Sequence, residues 1–161
     1  MKNQTCCFTG HRAIPETEYA EIQFRLKSEI VRLIKQGVCY LGAGGALGFD
    51  TMAALTVLDL KKEYPHIRLI MVLPCRNQTK GWNGYDVKVY DHILQKADKV
   101  VYLAEQYDMD CIRRRNEHLV DHSEYCICYF TGKKGGTAYT VGYAINKGLY
   151  VMNLARGENN R

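Results

Sequence analysis

Six short apolar runs alternate with five stretches of helical periodicity along the chain, and this alternation constrains the fold more than any single motif. The runs cover 5–9, 38–41, 68–73, 99–103, 125–130 and 149–154. The helical stretches cover 16–36, 50–64, 86–97, 110–122 and 137–147. In the first of them Tyr19, Ile22, Leu26, Ile30, Leu33 and Ile34 recur at helical spacing and lay one apolar stripe. Gly37 and Gly148 stop the first and last helices, and Pro65 ends the second. Strands apolar on both faces need helices on both faces, which places them in a parallel sheet. Right-handed crossovers then predict a single α/β domain over 1–161, a doubly wound, mostly parallel sheet of about six strands.

Composition narrows the function classes. The 22 basic residues outnumber the 17 acidic ones, giving a net charge of +5 that is spread along the chain. The one dense cluster is Arg113, Arg114 and Arg115. A duplex-binding protein shows a broader basic stripe, so the excess points to anionic ligands, with nucleic acid ranked behind a small molecule. Seven cysteines form no C-x-x-C pair, which predicts free thiols in a reducing compartment rather than disulfides or a zinc knuckle. His118 and His122 share one helix face, but no third metal ligand accompanies them, and no metal or cofactor is expected. The start lacks the apolar stretch of a signal peptide, and no run approaches the roughly 18 residues of a membrane span. A soluble cytoplasmic protein without a membrane partner is expected.

In such a sheet ligands bind beyond the carboxyl ends of the strands. Four unusual segments fall there: Gly10-His11-Arg12, the glycine turn 42–50, the loop 74–82 and the second glycine turn 131–140. Gly42, Gly44, Gly45 and Gly48 let backbone N–H groups approach an anion at a helix amino end. Their spacing is not G-x-G-x-x-G, since Leu47 stands at the third glycine, and no G-x-x-x-x-G-K-[ST] is present. Simple dehydrogenase and ATPase readings are therefore disfavoured. Asp50, in the first turn of the second helix, suits ligand hydroxyls or general-base work. Gly135, Gly136 and Thr137 form a second anion cradle. Trp82 sits in a polar, glycine-flanked loop, placed either to stack on a base or to pack locally. Successive helical residues point about 100° apart, so the three arginines cannot share one face, and one can point at the crevice.

The segments CCFTGHR (6–12), GAGGALGFDTMAA (42–54) and RRRNEHLVDHSEYCICYFTGKKGGTAYTVGYA (113–144) resemble the SLOG superfamily, in particular its YpsA-like bacterial branch. The resemblance covers about 5–154. It implies a Rossmann-like fold that binds nucleotides or nucleotide-derived ligands, and it is compatible with a homo-oligomer. The middle segment is similar to that of DNA-processing protein A, a binder of single-stranded DNA. The LOG phosphoribohydrolases of the same superfamily carry an Arg-Lys pair and then P-G-G-x-G-T-x-x-E. Here Arg115-Asn116 stands at the pair and Gly135-Gly136-Thr137 in the glycine loop, while Thr140 stands where those enzymes have glutamate. Thr140 has no carboxyl to move a proton near pH 7, which argues against N-glycosidic hydrolysis. The resemblance selects Arg115 as the arginine facing the ligand. Three functions follow in order: a nucleotide-like-ligand binder or sensor, a hydrolase or transferase using Asp50 and Arg115, and a single-stranded nucleic-acid binder.

Overall fold

The computed structural model describes residues 2–155. Six strands alternate with five helices: β1 (Thr5–Gly10), α1 (Tyr19–Lys35), β2 (Tyr40–Ala43), α2 (Phe49–Leu60), β3 (Arg68–Leu73), α3 (Gly84–Lys96), β4 (Lys99–Tyr102), α4 (Cys111–Asp121), β5 (Tyr125–Tyr129), α5 (Gly136–Asn146) and β6 (Tyr150–Asn153). The sheet runs β4-β3-β2-β1-β5-β6 and every pairing is parallel.

Period-two side-chain alternation splits the interior into two cores. From β1, Cys6 and Phe8 face the helices α1, α2 and α3, where Leu26, Leu33, Met52 and Ile93 are buried. Cys7, between them, faces α4 and α5, with Leu119, Val120, Val141 and Ala144. The same split repeats in β5, where Ile127 and Tyr129 join the first core and Cys126 and Cys128 the second. All seven cysteines are free thiols. Burial pushes the Cys6 thiol well above its ordinary range, which suits a packing residue rather than a nucleophile.

Several element boundaries differ from the sequence pattern, α1 for example starting at Tyr19 rather than 16, and hydrogen bonds account for two of them. The Val38 N–H donates to Leu33 O and the Gly37 N–H to Ile34 O, which is the Schellman closure of α1. Val38 is thus used by the helix cap, and β2 starts at Tyr40 instead of 38. The second helix ends at Leu60 and closes in turns, the Lys62 N–H donating to Asp59 O and the Glu63 N–H to Leu60 O, before Pro65.

Asp98 ties the amino ends of β3 and β4 together. Its carboxylate accepts Lys61 Nζ at 2.7 Å and the Leu69 N–H at 2.8 Å, with Arg68 3.9 Å away. Burial alone would raise its pKa, but these partners outweigh burial and hold it below the usual carboxylate range. A depressed folded-state pKa contributes stability that is present above the unfolded value of about 3.9 and lost as pH falls through the folded value. In urea melts between pH 5 and pH 2, Asp98→Asn is expected to flatten the acid limb. An unchanged limb would exclude Asp98 as its source.

Candidate nucleotide-binding cleft

Strand order reverses at β1: β2, β3 and β4 extend to one side, β5 and β6 to the other. The chain leaves β1 toward one face and β5 toward the opposite face, so a crevice opens beyond Gly10 and Tyr129. A cleft of about 640 Å³ occupies this place. The β1–α1 loop forms one side and the β5–α5 loop, 130–135, forms another. Asp50 and Arg115 reach it from α2 and α4, and Tyr107 and Ile112 come from around the start of α4.

Arg115 is only 2% exposed and Asp50 only 6%. Arg115 Nη1 donates to Gly44 O, and its Nε donates to Asn116 Oδ1 at 2.7 Å. A Cβ on Gly44 would overlap the guanidinium, so that glycine is what lets α4 bring Arg115 against the 42–48 turn. The Asp50 carboxylate accepts the Ala46 N–H at 3.3 Å. Burial raises the Asp50 pKa, and the Arg115 charge, the Ala46 N–H and Arg12 oppose that rise without cancelling it. Burial likewise lowers Arg115, and Asp50 is the first group opposing it. The two charges compensate each other across the floor.

Above the floor, Arg12, Lys133 and Lys134 line the cleft as exposed cations. Gly135, Gly136 and Thr137 open α5 into the same space. No side chain caps α5, so the N–H groups of its first turn lack intrahelical acceptors and carry partial positive charge. His11 latches this loop to β1. Its Nε2 accepts the Thr131 N–H at 3.0 Å, which fixes the neutral ring with the proton on Nδ1. Burial first, and Lys133 second, lower the His11 pKa in agreement with that neutral form.

The family model described as the YspA SLOG family matches residues 7–150. The chain belongs to the YspA SLOG family. Among its relatives, the uncharacterised SPbeta prophage-derived protein YoqJ of Bacillus subtilis (strain 168) is 33% identical over 113 residues, covering 63% of this chain and 66% of YoqJ. The UPF0398 protein BH1768 of Halalkalibacterium halodurans is 32% identical over 133 residues, 81% of this chain and 68% of that protein. The chain thus spans about two thirds of the length of these relatives. Its fold is shared by DNA processing protein A of Helicobacter pylori (TM-score 0.71, 19% identity, 98% of this chain and 68% of that one). The Streptococcus pneumoniae protein gives TM-score 0.72 at 16% identity, with 99% and 53% coverage.

In this SLOG chain the two glycine turns share one cavity, through Ala46 and Asp50 on one side and residues 133–137 on the other. Gly10, His11, Arg12, Arg115, Asn116, Gly135, Gly136 and Thr137 line it with them. Gly42, Gly44, Gly45 and Gly48 do not reach its wall: Gly42 lies in β2, and Gly44 and Gly48 make room for Arg115 and for the Arg12 carbonyl. Thr140 is buried one turn inside α5, its hydroxyl donating to Gly136 O at 2.8 Å. Trp82 packs edge-on against Tyr90, ring centroids 5.5 Å apart, over a separate void of about 20 Å³. The other two arginines turn outward, Arg113 to Asp110 (3.2 Å) and Arg114 to Asp108 (2.7 Å). Sequence reasoning passed over several wall residues, among them Ala13, Pro15, Tyr107, Ile112 and Tyr129. Among the described residues, no three metal-ligating side chains cluster, and no helix is long and apolar enough to cross a membrane.

Proposed function

We propose that the cleft binds a nucleotide-like ligand by its phosphate or ribose-phosphate part. The observation that carries this reading is the meeting of Arg12, Lys133, Lys134 and the uncapped α5 amides in one cavity at the strand-order reversal. The volume is in the range of small-ligand pockets. Arg115 acts from below, holding the 42–48 turn and opposing the rise that burial imposes on the Asp50 pKa, and Asp50 accepts a sugar hydroxyl.

Thermal shift with nucleoside monophosphates, ADP-ribose and NAD tests the reading. A single-site ligand at a hundredfold excess over its Kd stabilises by about 2.7 kcal/mol. No shift with any of these, nor with pyrophosphate, would count against it. The triple variant Arg12→Ala, Lys133→Ala, Lys134→Ala is expected to weaken binding about ten- to hundredfold, each exposed cation contributing roughly 0.5–1 kcal/mol. Its ligand-free melting temperature should stay within a few degrees of the parent, because none of the three is buried. Undiminished affinity in the triple variant would remove the cations from the site.

A second reading is single-stranded nucleic acid. The shared fold supports it, since the H. pylori protein is described for its single-stranded DNA binding mode. So do cations exposed at the rim, where a strand can track past them. Oligonucleotide affinity that falls steeply with salt, while mononucleotides fail to bind, would favour it. A hydrolase or transferase is the third. A buried carboxyl with a raised pKa suits a general base, and release of free base or phosphate abolished by Asp50→Asn would favour it.

A further inference from the structure

We infer that Tyr107 is the stacking platform for a nucleobase, on the wall of the cleft supplied by the β4–α4 loop. This assignment rests on the nucleotide reading of the same cleft and names where the base goes.

Two tyrosines line the cleft. Tyr129 is buried, 1% exposed, whereas Tyr107 is 62% exposed. An aromatic ring left in water by a flexible loop would be unremarkable, but this loop is anchored on both sides of the ring. The Tyr107 N–H donates to Asn77 Oδ1 at 3.1 Å, which ties it to the segment after β3. Its neighbour Asp108 takes both Arg114 Nη1 (3.2 Å) and Nη2 (2.7 Å) and also accepts the Asp110 N–H at 2.9 Å. The ring is thus presented from a fixed backbone, so little ordering remains for a ligand to impose.

The surroundings give the platform its chemistry. Ile112 stands on the same wall, and Ala13 and Pro15 line the cleft from the β1–α1 loop. Lys133, Lys134 and the α5 amides come from the β5–α5 side, and Arg12 stands beside Ala13 in the β1–α1 loop. A ligand that meets both sets of residues carries anionic groups and a flat, mostly apolar group, which is a phosphorylated nucleoside. Trp82, the other candidate for stacking, is committed to Tyr90. Base–aromatic stacking contributes about 1–3 kcal/mol per base, or about five- to 150-fold in affinity.

The test uses the full chain, the variants Tyr107→Ala and Tyr107→Phe, and four probes: inorganic pyrophosphate, ADP, adenosine and an oligodeoxythymidylate. Tyr107→Ala is expected to leave pyrophosphate affinity unchanged and to weaken the nucleotide probe at least about fivefold, with Tyr107→Phe restoring it. Loss with ADP identifies a free nucleotide, and loss confined to the oligonucleotide identifies a strand; either supports the platform. An equal preference for ADP or oligonucleotide over pyrophosphate in parent and Tyr107→Ala would overturn it and leave the anion site standing. Adenosine binding that resists Tyr107→Ala would overturn it too. Failure of every probe to bind the parent would instead sink the nucleotide reading, and the platform with it.

Discussion

Arg115→Met is expected to destabilise the protein by about 2–4 kcal/mol at pH 7, because it removes two hydrogen bonds of a buried guanidinium and the charge that opposes the desolvation of Asp50. Methionine fills much of the space but makes neither of the bonds to Gly44 O and Asn116 Oδ1. It also leaves Asp50, 6% exposed, without its principal opposing charge. The sign of the pH dependence follows. In the variant the folded-state pKa of Asp50 rises further above its unfolded value of about 3.9. The Asp50 share of the penalty is therefore full where Asp50 is ionised in both states, at high pH, and is lost well below about pH 4, where it is protonated in both, while the share from the two lost bonds does not change with Asp50. Urea melts should find the gap between parent and variant narrowing from pH 7 to pH 4. Adding Asp50→Asn to Arg115→Met should recover part of the loss, because the amide carries no charge to desolvate. A gap independent of pH, with no recovery in the double variant, would mean that Arg115 acts through packing alone.

The same residue shows how much of the site is legible in sequence. Three consecutive arginines on a helix diverge by about 100° each, so divergence follows from geometry alone. That Arg115 is the buried one depends on Gly44, 71 residues earlier, being small enough to receive it. Element order was readable, because each run carries its own periodicity and stop signals. The strand order was not: nothing local states that β5 returns to the far side of β1, and that return creates the cleft. Trp82 and Tyr107 read alike in sequence, each a lone aromatic in a polar loop after a strand. Tyr90 of α3 captures the first, whereas Asn77 and Arg114 hold the second at the cleft. The glycines of 42–48 read as an anion cradle because close backbone approach to a phosphate and close approach to protein need the same missing Cβ. Here the visitors at two of them are protein atoms, from Arg115 and Arg12.

Gly48→Ala tests that last distinction and is expected to cost about 3–5 kcal/mol. Gly48 has φ +82° and ψ −121°, a region that a side chain enters only with strain of about 1–3 kcal/mol. A Cβ there would also overlap the Arg12 carbonyl, a backbone group that cannot swing aside as a side chain does. Relief requires the start of α2 to part from the β1–α1 loop, which it holds through the Phe49 N–H to His11 O bond at 3.1 Å. His11 and Arg12 would shift with the loop, so anion affinity should fall beyond what the lost stability explains. Gly84→Ala is the control: its φ is not positive and a Cβ would meet nothing within 4 Å. It should be neutral or stabilising by up to about 1 kcal/mol. The measurement is the urea midpoint of both variants, followed by pyrophosphate titration under conditions where each is folded. If Gly48→Ala melts with the parent, α2 and the β1–α1 loop are not held as tightly as this contact requires. If it melts early yet binds pyrophosphate normally once folded, the rim cations do not depend on that contact for their placement.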